Sequence, residues 1–324
     1  MKPKVLVTRK IPAEVEQYIK EHCEVEVWRS EEAIPQPALY DKIAGVSALL
    51  TNGTKVDDAL LNRAPKLKIV SNMSVGYNNL DVVALLERGV LATITPGVLD
   101  ETVADLMMAL MLAAARRIPE LDKKVREGRW KAGDQTPWFG IDVHHKKLGI
   151  IGMGRIGDAI ARRAKFGFGM DILYYNRSRR PEAELMFYAT YCGLEQLLAE
   201  SDYVMLMTPL TAQTERMMGA AQFAKMKPTA IFINGSRGQT VDETALYDAL
   251  KRGTIRAAGL DVFVDEPVPA NHPLLTLPNV VAVPHIGSAT AQTRFDMAMS
   301  AARNMISGLN GETPPDLIPE MRRS

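Results

Sequence analysis

A cation, a carboxylate and an imidazole stand behind three short apolar runs in the last part of the chain: Arg237 after "AIFIN", Glu266 after "AAGLDVF" and His285 after "NVVAV". Such a trio suits the reduction of a 2-keto acid. A fixed cation holds the substrate carboxylate and polarises the carbonyl, and a proton donor serves the oxygen that gains electrons as hydride reaches the carbon. Arg237 and His285 fit those two roles, and a carboxylate beside the imidazole, which Glu266 can supply, favours its protonated form and orients the ring. Each residue taken singly also has a plainer use. Arg237 can cap loop carbonyls, Glu266 can be an exposed turn residue before Pro267, and His285 a satisfied half-buried histidine. The remaining histidines lack a comparable strand-end setting: His22 sits in a polar stretch, His144 and His145 form a connector pair, and His272 lies in a loop before Pro273.

A second group of residues points to a ligand with phosphates. In "KLGIIGMGRIG", Gly152, Gly154 and Gly157 are spaced as GxGxxG directly after an apolar strand and before a helix expected over 158–165. The first glycine allows the tight turn, the second lets backbone N–H groups approach a pyrophosphate, and the third lets helix and strand pack closely. With the strand, the helix and a second strand ending about twenty residues on, the pattern reads as dinucleotide binding, with Arg155 and Ile156 inside the turn. That second strand is "DILYYN". Asn176 stands where an acidic residue would hold the adenosine ribose of NAD, and Arg177, Ser178, Arg179 and Arg180 follow. Guanidinium groups are natural partners of a ribose 2′-phosphate, so the segment reads as a preference for NADPH over NADH. Its bland counterpart is a solvated basic loop.

These residues need a scaffold that brings strand ends together. Apolar runs rich in β-branched residues alternate with helical patterns along the whole chain, which is the signature of parallel strands covered by helices. "KVLVT", "EVEVW", "ALLTN", "KIVSNM" and "LATIT" form one series, with helices expected over 57–62 and 81–88. A second series comprises "KLGIIG", "DILYYN", "YVMLMT", "AIFIN", "AAGLDVF" and "NVVAVPH". Between the two lies a helix expected over 101–127, apolar nearly all round in its first half and in need of a partner surface, and ended by Gly128. "TVDE" at 240–243 reads as a capping box before a helix that Gly253 terminates. Phe295, Met299, Ala302, Ile306 and Leu309 recur at helical spacing in a closing amphipathic helix.

Composition narrows the classes further. At 324 residues, with a hydrophobic share of 47% and a formal charge of +1, the chain suits two domains and carries no net pull toward nucleic acid. Its two cysteines, Cys23 and Cys192, lie far apart without metal-type spacing, which points to a reducing, cytoplasmic setting and to no metal site. The apolar stretch 103–115 is interrupted by Asp105 and falls short of the roughly 20 residues that span a bilayer. The start "MKPKVLVTRK" reads as a first strand and not a signal peptide.

The segments "VHHKKLGIIGMGRIG", "QFAKMK", "AIFIN" and "VVAVPHIGSAT" together resemble the D-isomer-specific 2-hydroxyacid dehydrogenase family over essentially the whole chain, and within it the bacterial reductases of glyoxylate, hydroxypyruvate and 2-ketogluconate. The resemblance implies an α/β protein of two doubly wound parallel-sheet domains. A flavodoxin-like substrate domain would comprise residues 1–99 and 290–324, and a Rossmann cofactor domain residues 100–289. It implies a catalytic trio at Arg237, Glu266 and His285, and a carboxylate-holding loop in "SVGYNNLD" through the N–H groups of Val75 and Gly76. Thr102, Thr208, Pro209, Asn234 and Asp261 would line the cofactor path, Asp261 at the nicotinamide carboxamide. It further implies a homodimer formed through the helix and loop near 101–140, with Trp138 reaching the neighbouring subunit's site. The expected reaction is NADPH-dependent reduction of small 2-keto acids to D-2-hydroxy acids. A D-lactate or D-3-phosphoglycerate dehydrogenase and a cofactor-sensing corepressor-like protein are the alternatives. Gly235 departs from the family pattern, which commonly has Ala or Thr there.

Overall fold

The structure is a computed structural model that describes residues 2–133 and 135–322. Met1, Asp134, Arg323 and Ser324, which fall within the segments expected for the substrate domain and the dimer loop, lie outside the described residues. The chain divides into two compact units, one formed by residues up to Leu99 together with those from Ser288 onward, the other by Asp100–Gly287.

In the first unit, β1 (Lys4–Val7), β2 (Glu24–Val27), β3 (Ala48–Thr51), β4 (Ile69–Asn72) and β5 (Leu91–Thr93) form a parallel sheet in the order β2-β1-β3-β4-β5. Their sequences follow their places. Central strands β3 and β4 are buried throughout, so "ALLT" and "IVSN" carry no polar face, whereas the edge strand "EVEV" alternates between exposed and half-buried positions. Helices α1 (Ala13–His22), α2 (Gln36–Ile43), α3 (Asp58–Leu61) and α4 (Val82–Glu87) join the strands. Asp57 and Asp81 start α3 and α4 by accepting the N–H groups of Leu60 and Ala84, each at 3.0 Å.

The second unit opens with α5 (Asp100–Ala115) and α6 (Ile118–Arg126) and continues β6 (Lys147–Ile151), α7 (Arg155–Phe168), β7 (Asp171–Tyr175), α8 (Pro181–Phe187) and β8 (Thr190–Tyr191). Then come α9 (Leu194–Glu200), β9 (Tyr203–Leu206), α10 (Ala220–Phe223), β10 (Ile231–Asn234), α11 (Glu243–Lys251), β11 (Ala257–Leu260) and β12 (Val280–Ala282). The sheet is parallel throughout, in the order β12-β11-β10-β9-β6-β7-β8. The order reverses between β6 and β9, which makes the carboxyl ends of those strands a ligand crevice. After this unit, α12 (Ala291–Leu309) returns to the first sheet, where Ala298, Ala301 and Met305 share a core with Val5, Val7 and Val15. The chain is therefore an α/β protein of two doubly wound parallel sheets, and among the described residues no helix is long and apolar enough to cross a membrane.

Local expectations change in four places. The helix expected over 101–127 is two helices, because Arg117 takes a left-handed φ of 56° and Pro119 follows, with no N–H to continue the ladder. The apolarity of α5 is used within its own unit: Val103, Met107, Leu110, Met111 and Ala114 are buried, and the helix packs on α7, β10 and β11. Exposed apolar side chains come later instead, at Ile118, Val125, Trp130 and Phe139. The helix after the glycine turn runs over Arg155–Phe168, longer than 158–165. Finally, α11 is capped by Asp242, whose Oδ1 accepts the N–H groups of Thr244 and Ala245, each at 3.1 Å, while Thr240 donates its hydroxyl to Arg237 O at 2.6 Å. Gly253 does lie just past the end of α11, with φ 71°.

The break before α6 is held by charge. Arg117 meets both carboxylate oxygens of Glu120 at 2.8 Å, Lys124 adds a bond at 2.7 Å, and Arg117 also donates to Pro137 O at 2.7 Å. The bond from Arg117, with that from Lys124, outweighs burial and brings the Glu120 carboxyl from 4.5 to about 2. Its folded value is the depressed one, so its contribution to stability is present in full above about 4.5 and is lost as pH falls toward about 2. Glu120→Gln should accordingly flatten the fall of Tm across that acid window while leaving its slope near neutrality unchanged, which thermal unfolding at stepped pH will check.

Candidate active site

Arg237, Glu266 and His285 all follow carboxyl ends of strands of the second unit: β10, β11 and β12. Glu266 Oε2 lies 2.7 Å from His285 Nδ1, and Glu266 Oε1 accepts the Phe263 N–H at 3.0 Å. Burial raises the Glu266 carboxyl, but the bonds from His285 and Phe263 and the charge of Arg237 bring it below its ordinary value, so it stands as an anion against the imidazole. His285 carries a left-handed φ of 51°, uncommon for a residue with a side chain. Asp261 holds it there. The His285 N–H donates to Asp261 O at 3.0 Å, and the buried Asp261 carboxylate accepts the N–H groups of Ile286 and Gly287 at 2.7 and 3.0 Å.

Arg237 is fixed through its backbone. Its carbonyl receives the Thr240 hydroxyl at 2.6 Å and the Asn234 amide at 3.2 Å, while Asn234 Oδ1 accepts both the N–H and the hydroxyl of Ser236. The guanidinium donates to Ser236 O at 2.7 Å and makes no ion pair within bonding distance among the described residues. Burial lowers its pKa, opposed by the carboxylates of Glu266 and Asp261. The two loops approach as closely as backbones can: a Cβ on Gly238 would overlap the main-chain atoms of Phe263 and Val264. Only glycine permits that approach.

The loop after β6, at the carboxyl end of that strand, is built on three glycines. Gly152 has φ 100°, and a Cβ there would meet the Met207–Thr208 backbone at 2.8–2.9 Å, whereas a Cβ on Gly154 meets nothing within 4 Å. Gly154 is exposed at the N-terminus of α7, where the N–H groups of Arg155 and Ile156 and the helix dipole suit an anion, and the buried Gly157 lets α7 sit close to Gly152 O. The residues therefore fit a dinucleotide pyrophosphate. Asn176 faces this turn, accepting the Met153 N–H at 2.7 Å and donating to Met153 O at 2.9 Å. Arg180 also donates to Met153 O, at 2.9 Å, and pairs with Asp158 at 3.0 Å. Arg179 is forked onto Glu184 with two bonds of 2.7 Å. Arg177 and Ser178 are exposed, and Arg177 takes no ion-pair partner among the described residues.

Residues 108–287 match the family described as D-isomer specific 2-hydroxyacid dehydrogenase, NAD binding domain. The glyoxylate/hydroxypyruvate reductase B of Erwinia tasmaniensis is 51% identical over 318 residues, 98% of this chain and 99% of that one. The chain belongs to the D-isomer-specific 2-hydroxyacid dehydrogenase family. Among solved structures, the TT0316 protein of Thermus thermophilus superimposes with a TM-score of 0.91 at 42% identity, covering 97% of this chain and 99% of that one. An NADPH-dependent glyoxylate/hydroxypyruvate reductase of Sinorhizobium meliloti, solved with NADP and malonate, does so with a TM-score of 0.87 at 33% identity over the full length of both. This dehydrogenase is thus an oxidoreductase with a nicotinamide dinucleotide as its cofactor.

The dehydrogenase family's remaining positions fall as follows. Thr208 and Pro209 follow β9, with the Thr208 hydroxyl 3.7 Å from Met217 Sδ and Pro209 O accepting the Thr214 hydroxyl at 2.6 Å. Thr102 lies in the first turn of α5, and Trp138 ends a short turn after α6, half-buried. In the first unit, Asn72 grips Gly76 O at 2.9 Å, and the N–H groups of Val75 and Gly76 take no partner among the described residues. At Gly235 the space of a Cβ is filled by the sulfur of Met107. Sequence reasoning misses Gly238 and the anchoring roles of Asn176 and Asp261: "SRG" reads as one more turn until the opposing backbone is known.

The contrast between the first two glycines is testable. Gly152→Ala should lower Tm by the equivalent of about 1–3 kcal/mol through overpacking against backbone. Gly154→Ala should leave Tm unchanged and weaken NADPH, read by fluorescence titration, because the added methyl occupies only space that the cofactor would use.

Proposed function

We propose that this dehydrogenase is a cytoplasmic, homodimeric reductase of small 2-keto acids that prefers NADPH to NADH. Glyoxylate and hydroxypyruvate come first among its substrates and 2-ketoaldonates such as 2-ketogluconate next. The observation that carries the reading is the 2.7 Å bond between Glu266 and His285 beside the half-buried Arg237, and the names borne by its relatives from E. tasmaniensis and S. meliloti agree with it.

When bound, the cofactor supplies a hydride to the keto carbon. Arg237 then holds the substrate carboxylate and the carbonyl oxygen. Because Nδ1 of His285 faces Glu266, Nε2 is the atom that gives its proton to the carbonyl oxygen as the alcohol forms. The Glu266 carboxylate orients the ring through Nδ1, and the partly exposed ring takes up its proton from solvent. Thr102, Thr208, Pro209, Asn234 and Asp261 line the cofactor path in this reading. The exposed Ile118, Val125, Trp130 and Phe139 support a subunit interface formed by α6 and the segment after it, with Trp138 reaching the neighbouring site.

His285→Ala should reduce kcat by about 10² to 10⁴ while the NADPH Kd stays near the parent value. Turnover of a 2-keto acid panel and direct cofactor titration check it. A lost cofactor affinity with intact turnover would put His285 elsewhere.

NADPH preference rests on Arg177. Arg180 and Asn176 are committed to the glycine turn and Arg179 to Glu184, which leaves Arg177 and Ser178 as the groups best disposed toward a 2′-phosphate. Arg177→Ala should cut the kcat/KM ratio of NADPH to NADH by about ten- to a hundredfold, the equivalent of one charged hydrogen bond of roughly 1.5–3 kcal/mol. Added salt should erode the same ratio in the parent.

A further inference from the structure

Behind the Glu266–His285 pair, a second carboxylate and a second imidazole meet. Glu243, the first residue of α11, accepts the Val264 N–H through Oε1 at 2.9 Å, and its Oε2 lies 3.3 Å from His272 Nε2. The carbonyl of the same residue is also held: Val264 O accepts the side-chain amide of Gln239 at 3.0 Å. Both Glu243 and His272 are largely buried, at 19% and 18% side-chain exposure. His272 Nδ1 is buried without a partner among the described residues, and its ring meets Phe263 edge-on at 6.0 Å.

Consecutive N–H groups thus go to different carboxylates, Phe263 to Glu266 and Val264 to Glu243. Residues 261–267 form no helix or strand, so no regular ladder fixes this loop. Its position is set by the close approach of Gly238 and by the bonds from Gln239 and Glu243. Gln239 and Glu243 come from the chain just after Arg237, so they tie the loop bearing the carboxylate to the loop bearing the cation. No bond joins Glu243 to Arg237, Glu266 or His285 among the described residues, and any effect it has on chemistry travels through the loop.

We propose that Glu243, assisted by Gln239, is a positioning residue: by gripping the Val264 peptide it fixes the Glu266 carboxylate and so the direction in which the His285 ring delivers its proton. The proposal rests on the reductase reading above. Removing the grip leaves a backbone N–H without its partner and lets the carboxylate drift, and small misplacements of a reacting group are expensive in rate.

The test uses the full chain as parent, Glu243→Ala, Glu243→Gln and Gln239→Ala, each with ¹⁵N-labelled histidine. The chain has five histidines, and the His285 ring signals are assigned by their loss in His285→Ala. Glu243→Ala should lower kcat about tenfold, leave the keto-acid KM and the NADPH Kd near parent values, and displace the His285 ring resonances. Glu243→Gln keeps an oxygen for the Val264 N–H, so kcat should recover to within about threefold of the parent and the His285 resonances should return. Parent-like kcat and parent-like His285 resonances in Glu243→Ala would overturn the proposal, and so would a glutamine variant as impaired as the alanine one. If Glu243→Ala does not fold, Gln239→Ala decides by the same readouts, with displaced His285 resonances and lowered kcat expected and parent-like values overturning it. A parent that reduces no 2-keto acid would sink the reductase reading, while the His285 resonances would still decide whether Glu243 sets the ring.

Discussion

The contact on which the site depends is backbone against backbone. Gly238 lies so near Phe263 and Val264 that a Cβ would overlap their main-chain atoms, and this approach brings the loop bearing Arg237 against the loop bearing Glu266. Everything around it maintains that approach: Asn234 and Thr240 hold the Arg237 carbonyl, and Gln239 and Glu243 hold the carbonyl and the N–H of Val264. The parallel sheet supplies the coarse placement, because β10, β11 and β12 are adjacent and all end on one edge. Hydrogen bonds of ordinary length then do the fine placement in loops where the ladder has stopped.

The cofactor turn uses its polar residues in a comparable way. Asn176 closes two bonds on Met153 and Arg180 a third, so a segment that looks like a phosphate claw in sequence spends much of its hydrogen bonding on the shape of its own loop. An acidic residue at position 176 would have no N–H for Met153 O. The neutral amide therefore has a mechanical reason to be there, independent of which ribose the site accepts.

Much of this architecture is legible in residue patterns. Continuous apolar runs such as "ALLT" and "YVML" announce strands covered on both faces, and strand–glycine–helix order announces the dinucleotide turn, since both follow from local burial and local backbone freedom. What the patterns leave open is set by tertiary neighbours. The split at Arg117 depends on a fork to Glu120 and a carbonyl at Pro137, and the start of α11 on Asp242 in place of Thr240, whose hydroxyl is drawn away by Arg237 O. Of the site, the trio's strand-end positions are legible, but their mutual reach is not: nothing in the spacing of Glu266 and His285 encodes a 2.7 Å bond. The burial of α5 is a similar case, because an all-round apolar helix says that it is covered and not by what.

Gly235 has an evolutionary consequence. The room a methyl would need there is taken by the thioether of Met107, a fully buried residue on α5, with Met207 sulfur 3.3 Å from the same point. The two positions are alternative ways of filling one volume, so a larger residue at 235 becomes acceptable only after position 107 has shortened or turned aside, and a smaller residue at 107 opens a void unless 235 grows. Exchanges at this face of the cofactor unit are therefore coupled: what a larger residue at 235 costs depends on whether the flexible Met107 thioether can swing aside or a shorter side chain stands in its place.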